Sequence, residues 1–436
     1  MKITGWVFTA MMATTTALTA PATATVSVRL GDEAMDDARW APLLDGKRLG
    51  LVTNPSGVDS RLTATVDKLH VRRGGSSLTA LFAPEHGLRG AQGAGEDVKD
   101  GRDPATSVPV YSLHGTAPDG KARHKPTTAS LAKVDVLLYD IQDIGNRSYT
   151  YAGTMEKCME AAADKGIPFV VLDRPNPMGG ILTDGDVSPE GRESLVCWAP
   201  VPYIYGLTCG EMARWMNENS MTTGTDGKRR RGIGCDLTVI PMEGWKRSMT
   251  WGDTGLPWIP TSTHMPRWES CWHIAATGML GELLSVNVGV GYPAPFEYVG
   301  APFLDGVALA ADLDGRHLPG MRFRPVQFRP YYTTFEGEMC GGTHLMFTDL
   351  RSARPVEAGL HLMDAIQRQV PQEDVFRTES RRKSDKSRGK SFDGVAGGPE
   401  LRAALVAGKP VAEILAGWTT RRAAWNEAAE KYRLYE

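Results

Sequence analysis

The stretch VDVLLYDIQDIGNR, Val134 to Arg147, decides the fold. Its first seven residues are largely apolar and end in a polar run. A strand with one wet face alternates apolar and polar residues, whereas a strand buried on both faces does not. Three more segments repeat the pattern: LGLVTN at Leu49 to Asn54, LTALFAPEH at Leu78 to His86 and PFVVLD at Pro168 to Asp173. Met155, Met159 and Ala162 recur at helical spacing and predict a helix over Gly153 to Ala163. Buried strands alternating with helices predict an α/β fold, a parallel sheet covered on both sides. Each strand runs into polar residues: Asn54, then Glu85 and His86, then Asp140 and Asp143, then Asp173, Arg174 and Asn176. Ligands bind at the carboxyl ends of such strands, so these clusters predict one cleft.

The rest of the chain reads differently. LTCGEMARWMNEN, Leu207 to Asn219, predicts an amphipathic helix, and CDLTVIPMEGW a strand leading to a turn. Glycine and proline crowd Trp251 to Pro319, but the aromatics there need burial, so long ordered loops are expected. The end predicts helices near Val411 to Ala416 and over Trp418 to Leu434. A chain of 436 residues is long enough for two domains, placed here at residues 25–190 and 191–436. Residues 1–24 read as a secretory signal, with Lys2, an apolar core through Trp6 and Met12, and ATA at Ala22 to Ala24 for cleavage. Export to the periplasm or the exterior is expected. No later run is apolar enough to predict a transmembrane anchor.

Lys plus Arg total 49 against 51 Asp plus Glu, so no basic field draws in nucleic acid or an anionic membrane. RRR at Arg229 to Arg231 and RRKSDKSRGK from Arg381 read as solvated loops. None of the six cysteines forms a CxxC, their pairing is not deducible, and Cys158 reads as a small buried residue within its helix. The chain lacks GxSxG, GxGxxG, the P-loop and HExxH, so no serine nucleophile elbow, cofactor or metal is expected.

Glycosidic cleavage needs a carboxyl group that protonates the leaving oxygen. Glu85 in APEHGLRG is the leading candidate, with a turn cap or a pairing to Arg89 as the alternative. His86 either orients a substrate hydroxyl or bonds the loop backbone. Asp140 at its strand end meets a ligand, and Asp143 either does the same or holds Arg147. Prolines stiffen DRPNP and fix Asp173, Arg174 and Asn176; Arg174 either clamps a carboxylate or pairs with Asp173 or Asp140. Asp184 in TDGD is a second carboxylate or a turn. Glu211, Glu269, Glu282 and Glu297 are further acids, Glu297 lying within the aromatic APFEY.

GLVTNPSGVD, LFAPEHGLRG, VPVYSLHG, the long block from Val134 to Met155, VVLDRPNPMGG, PFEYVGAPF and the terminal KYRLY together resemble the exo-β-N-acetylmuramidase NamZ-like family, from about Leu49 to Tyr435. The resemblance implies a Rossmann-like domain followed by a smaller α/β domain, with the site in the interdomain cleft. It implies a glycosidase that removes terminal N-acetylmuramic acid, or a related amino sugar, from the non-reducing end of peptidoglycan-derived glycan fragments. The family's proposed catalytic Glu falls on Glu85, and its second acid, a Glu before Gly, falls on Asp184. Asp140, Arg174, Asn176 and Glu282 would position the sugar and its lactyl carboxylate. Departures fall at Tyr205 and His264, where the family has a histidine and an asparagine, and at Val288 and Val290, where it has a Glu and an Arg. They point to an altered sugar pocket. A same-fold glycosidase for another sugar and a noncatalytic glycan-binding protein are the alternatives.

Overall fold

The computed structural model describes residues 28–436 except 94, 117–119, 121, 224–226, 372–374 and 377–387. The expected signal at 1–24 and most of the basic stretch from Arg381 lie outside the described residues. The apolar segments form strands β1 (Arg48–Thr53), β2 (Ser77–Ala83), β3 (Gly101–Arg102), β4 (Pro109–Ser112), β5 (Val136–Asp140) and β6 (Phe169–Leu172). A separate exposed hairpin, β7 (Met221–Thr223) with β8 (Arg229–Arg231), precedes β9 (Leu237–Ile240). The seven-stranded sheet runs β3-β4-β2-β1-β5-β6-β9, parallel throughout except for the antiparallel edge strand β3. Every residue of β5 and of β6 is buried, as their unbroken apolar sequences require. Strand order reverses between β1 and β5, which opens a crevice at their carboxyl ends.

The crossover helix Thr150–Lys165 starts before and ends after the predicted segment; Gly166 at φ 71° closes it in the left-handed conformation that glycine adopts at no steric cost. Met155, Met159 and Cys158 lie on its buried face. All six cysteines are buried free thiols.

Two expectations need correction. RRR is strand β8 and not a loop, its arginines exposed, with Arg229 and Arg231 reaching Glu193 and Glu190. The boundary at 190/191 cuts through the sheet domain, because β9 pairs in parallel with β6 from Phe169↔Leu237 to Leu172↔Ile240. Strand pairing is a long-range property, and the segment after 190 carries no local mark of it.

The second domain is built on an antiparallel sheet ordered β10-β12-β11, from β10 (Tyr298–Ala301), β11 (Met321–Phe328) and β12 (Cys340–Phe347). Helices Ser270–Gly281, Gly306–Gly315 and Pro355–Gln369 pack on it through Leu280, Leu309, Leu345 and Leu360. Trp258, Trp268 and Phe303 of the loops pack against the same core, so the aromatic-rich stretch is ordered as expected. Gly417 does not divide the last helix, which runs unbroken over Val411–Ala429. Trp425 then meets Trp215 of the first domain at 5.5 Å between ring centroids. Among the described residues no helix is long and apolar enough to cross a membrane.

Two polar ties hold the domains. Asp184 accepts hydrogen bonds from the N–H groups of Gly185 (2.8 Å) and Val356 (2.9 Å), the latter in the first turn of helix Pro355–Gln369. Arg147, 1% exposed, donates to the carbonyls of Asp186 and Val201 on one side and of Val395 and Ala396 on the other. Beneath the crevice, Arg174 Nε and Nη2 bond the two carboxylate oxygens of Asp140 at 2.5 and 2.9 Å. Thr65 Oγ1 donates to Asp140 Oδ2 (2.5 Å), and Arg174 Nη2 also reaches the Val58 carbonyl (2.9 Å).

Removing one member of a buried pair strands the other charge, so Arg174→Met is expected to cost about 3–5 kcal/mol in urea unfolding. A loss below about 1 kcal/mol would refute the pair's role. Asp184→Ala uncaps a helix end and is expected to cost about 0.5–2 kcal/mol; an unchanged unfolding midpoint would contradict the cap.

Candidate active site

β2 ends at Ala83, and Pro84 carries the chain into a sharp turn made by His86 (φ 69°) and Gly87 (φ 75°). At φ 75° Gly87 sits in the left-handed region that glycine adopts without strain. The left-handed conformation is costly at a histidine, and it is held by a 3.0 Å bond between His86 Nδ1 and the Gln92 carbonyl. His86 thus takes the loop-bonding role that was one of its two expected readings.

Glu85, at the base of this turn, is met by its own loop after β2, by the residue just past β4 and by the start of the helix after β5. Its Oε1 accepts the Gly95 N–H (2.9 Å), and its Oε2 accepts the hydroxyl of Thr150, the first residue of the helix after β5 (2.8 Å). His114, just past β4, brings Nε2 to 3.8 Å from Oε1, and both side chains are 13% exposed. His124 lies behind it with ring centroids 6.3 Å apart and a buried Nδ1 that has no hydrogen-bond partner among the described residues. Burial, and then the positive charges of His114 and Lys157, hold the His124 pKa down. Lys157 pairs with Glu160 at 2.6 Å and lies 3.7 Å from Glu156, whose pKa burial pushes up to about 7. This arrangement holds a partly exposed carboxyl on fixed donors beside two imidazoles, which suits proton transfer to and from a ligand.

His114, His124 and Thr150 were missed as site residues. The same strand-end rule that found Glu85 identifies His114 once VPVYS is recognised as a strand. At four residues, partly alternating, β4 lacks the long apolar run of its neighbours.

His264, on the loop before helix Ser270–Gly281, contacts the Tyr332 hydroxyl of the second domain through Nε2. Burial, and then the influence of His86, hold the His264 pKa down. Glu85 and His86 are the candidates that share the turn after β2.

The other candidates are committed elsewhere. Asp140 and Arg174 neutralise each other and are at most 3% exposed, so Arg174 is not open to a ligand carboxylate. Asp143 does not hold Arg147; it accepts from the Tyr205 hydroxyl and from Gly145 N–H (3.0 Å), and burial raises its pKa to about 6. Tyr205 is correspondingly buried at 3% exposure. Asp173 binds Gly210 N–H (2.7 Å), Thr208 Oγ1 (2.8 Å) and the Tyr435 hydroxyl (2.5 Å), which fixes the start of helix Cys209–Asn219 and the chain's end. Asn176 ties Leu207 and Met178. Asp184 is 1% exposed at its helix end. Glu211 completes a capping box with Thr208 and pairs with Arg247 at 2.7 Å.

Glu282 follows helix Ser270–Gly281 and Glu269 precedes it, the latter without a side-chain bond to the helix start. Glu297 is bound by Arg267 and His344, with its pKa lowered to about 2 against the pull of burial, on the wall of an open cavity of about 610 Å³. That cavity, and another of about 450 Å³ beside Arg147, Tyr203 and Trp418, include none of the groups around Glu85. Val288 and Val290 pack into or against the second domain's core, so their apolar character has a packing reason. Among the described residues no group of three or more His, Cys, Asp or Glu side chains is placed to hold a metal ion.

Residues 49–269 match the family described as exo-beta-N-acetylmuramidase NamZ, N-terminal, and residues 274–435 match its C-terminal counterpart. Over 392 residues the chain is 38% identical to the peptidoglycan beta-N-acetylmuramidase NamZ of Bacillus subtilis (strain 168), covering 90% of this chain and 88% of that protein. Two crystal structures of DUF1343 family proteins from Bacteroides fragilis share the fold. One has a TM-score of 0.83 at 38% identity, over 95% of this chain and 100% of the other. The second has a TM-score of 0.70 at 25% identity, over 94% and 99%. An exo-acting glycosidase of the NamZ type is the activity that this kinship carries. Both halves of the chain match in order and nearly end to end, and the chain belongs to the NamZ/DUF1343 family as a moderately diverged member.

Proposed function

We propose that this chain hydrolyses the terminal β-glycosidic bond at the non-reducing end of peptidoglycan fragments, releasing N-acetylmuramic acid or a related amino sugar. Glu85 serves as general acid/base. The observation that carries the reading is the convergence on that one partly exposed carboxyl of the ends of β2 and β4 and the helix start after β5. The relative from Bacillus subtilis, named for peptidoglycan and β-N-acetylmuramidase activity, supports the substrate class. His264 with Tyr332, where the family resemblance leads one to expect an asparagine, favours a related amino sugar as the second reading.

We also propose that the protein acts after export, on the strength of the signal-like residues 1–24. Amino-terminal sequencing of secreted protein is expected to begin just past Ala24; a retained Met1 would count against export.

The reaction is tested by incubating residues 25–436 and their Glu85→Gln variant with a short glycan ending in MurNAc-GlcNAc, and following released sugar by mass spectrometry. Free MurNAc from the parent, with turnover reduced about 10²- to 10⁴-fold in the variant, is the expected result. Equal turnover in both would remove Glu85 from the chemistry. Intact MurNAc-GlcNAc beside a cleaved GlcNAc-terminated glycan would move the substrate to the second reading.

A further inference from the structure

We propose that His114 is the ionisable partner of Glu85, a positioning residue that acts on the reaction through that carboxyl. The proposal rests on the reading of Glu85 as the reacting group. The partner implied by family resemblance is Asp184, but both its oxygens accept backbone N–H groups at 2.8 and 2.9 Å and the residue is 1% exposed. Its carboxylate is spent on a helix end. His114 has the geometry that Asp184 lacks, with Nε2 3.8 Å from Glu85 Oε1, within ion-pair reach.

The ring is carried on a fixed backbone. The His114 carbonyl accepts from Ser112 Oγ (2.7 Å) and Val98 N–H (3.3 Å), and its N–H donates back to Ser112 Oγ (3.1 Å). Among the described residues, the charged and titratable groups near it are Glu85 after β2 and His124 in the following loop, with Lys157 of helix Thr150–Lys165 acting on His124. Asp97 and Asp100 lie on the segment before β3. Asp97 accepts Thr116 N–H at 3.2 Å, and Asp100 accepts Ser112 N–H at 2.8 Å and pairs with Arg123 at 2.6 Å.

Thr150 and Gly95 donate to Glu85 at every pH. His114 adds to them an imidazole whose Nε2 lies 3.8 Å from Oε1, and the charge of a histidine is the kind that responds to pH. A misplaced reacting group costs up to about 100-fold in rate, which sets the size of the effect.

The test measures kcat, KM and the pH–rate profile on the MurNAc-GlcNAc glycan for the parent, His114→Ala and His114→Gln, with melting temperature as the control for folding. His114→Ala is expected to lower kcat about 10- to 100-fold with KM within about twofold, and to remove one ionisation from the profile. His114→Gln, which keeps an N–H donor, is expected to recover part of kcat but not the ionisation. A His114→Ala enzyme with the parent's kcat and profile overturns the proposal, as does a Gln variant that restores the full profile. Loss of turnover in Asp184→Asn at an unchanged melting temperature, beside an active His114→Ala, returns the role to Asp184 and also overturns it. A parent that releases no sugar fails at the earlier step and overturns the reading of the site itself.

Discussion

The buried Asp140–Arg174 pair is the constraint on which the cleft depends. It joins the carboxyl ends of β5 and β6 and reaches Thr65 and the Val58 carbonyl on the connection after β1. Those are the elements that meet where the strand order reverses. A lone charge here would pay a desolvation cost of several kcal/mol, which a bidentate partner with its remaining hydrogen bonds satisfied offsets. Asp32, 1% exposed beside them, shows how dry the region is: burial raises its pKa to about 6, although the Arg174 charge pulls the other way. With those charges committed to one another, the proposed chemistry rests on the loops, where Glu85 is a carboxyl held on ordered donors.

The same economy governs the join between domains. Arg147 gathers four carbonyls from both sides, Asp184 holds a helix of the second domain, and Asp173 receives the hydroxyl of Tyr435 from the end of the chain. Each is a buried polar group bonded to a partner distant in sequence. Fixing the domains in this way limits their relative motion before any ligand arrives, and preorganisation of that kind lowers the entropic cost of orienting a substrate.

Those long-range partners mark the limit of what the sequence discloses. Continuous apolar runs such as VDVLLYD told of a parallel sheet, and the polar residues at their ends told of a crevice, because both are consequences of local composition. Whether an acid at a strand end faces a ligand or another strand is decided by residues far away. Asp140 and Arg174 belong to different strands, and Glu85 and His114 to different strands again; the first pair is closed and the second is open to the crevice. Single-sequence reading offers Glu85, Asp140 and Arg174 as site residues together and passes over His114. The sheet's last strand, β9, was assigned to the wrong domain for the same reason, since pairing with β6 leaves no trace in LTVI itself.

Position 184 shows how a departure from a family pattern acquires a physical cause. The resemblance leads one to expect a Glu there, and a Glu reaches one methylene further. In this chain the carboxylate must end at Val356 N–H, inside a space where the residue is 1% exposed and where a Cβ on the adjoining Gly185 would lie 2.6 Å from Tyr203 Cβ. A longer side chain in so closed a position would push its carboxylate past the helix end or force the packing apart. The shorter acid fits, and a negative charge at a helix amino terminus is favourable. The shortening is therefore what a helix cap selects, and it separates this carboxylate from the chemistry at Glu85.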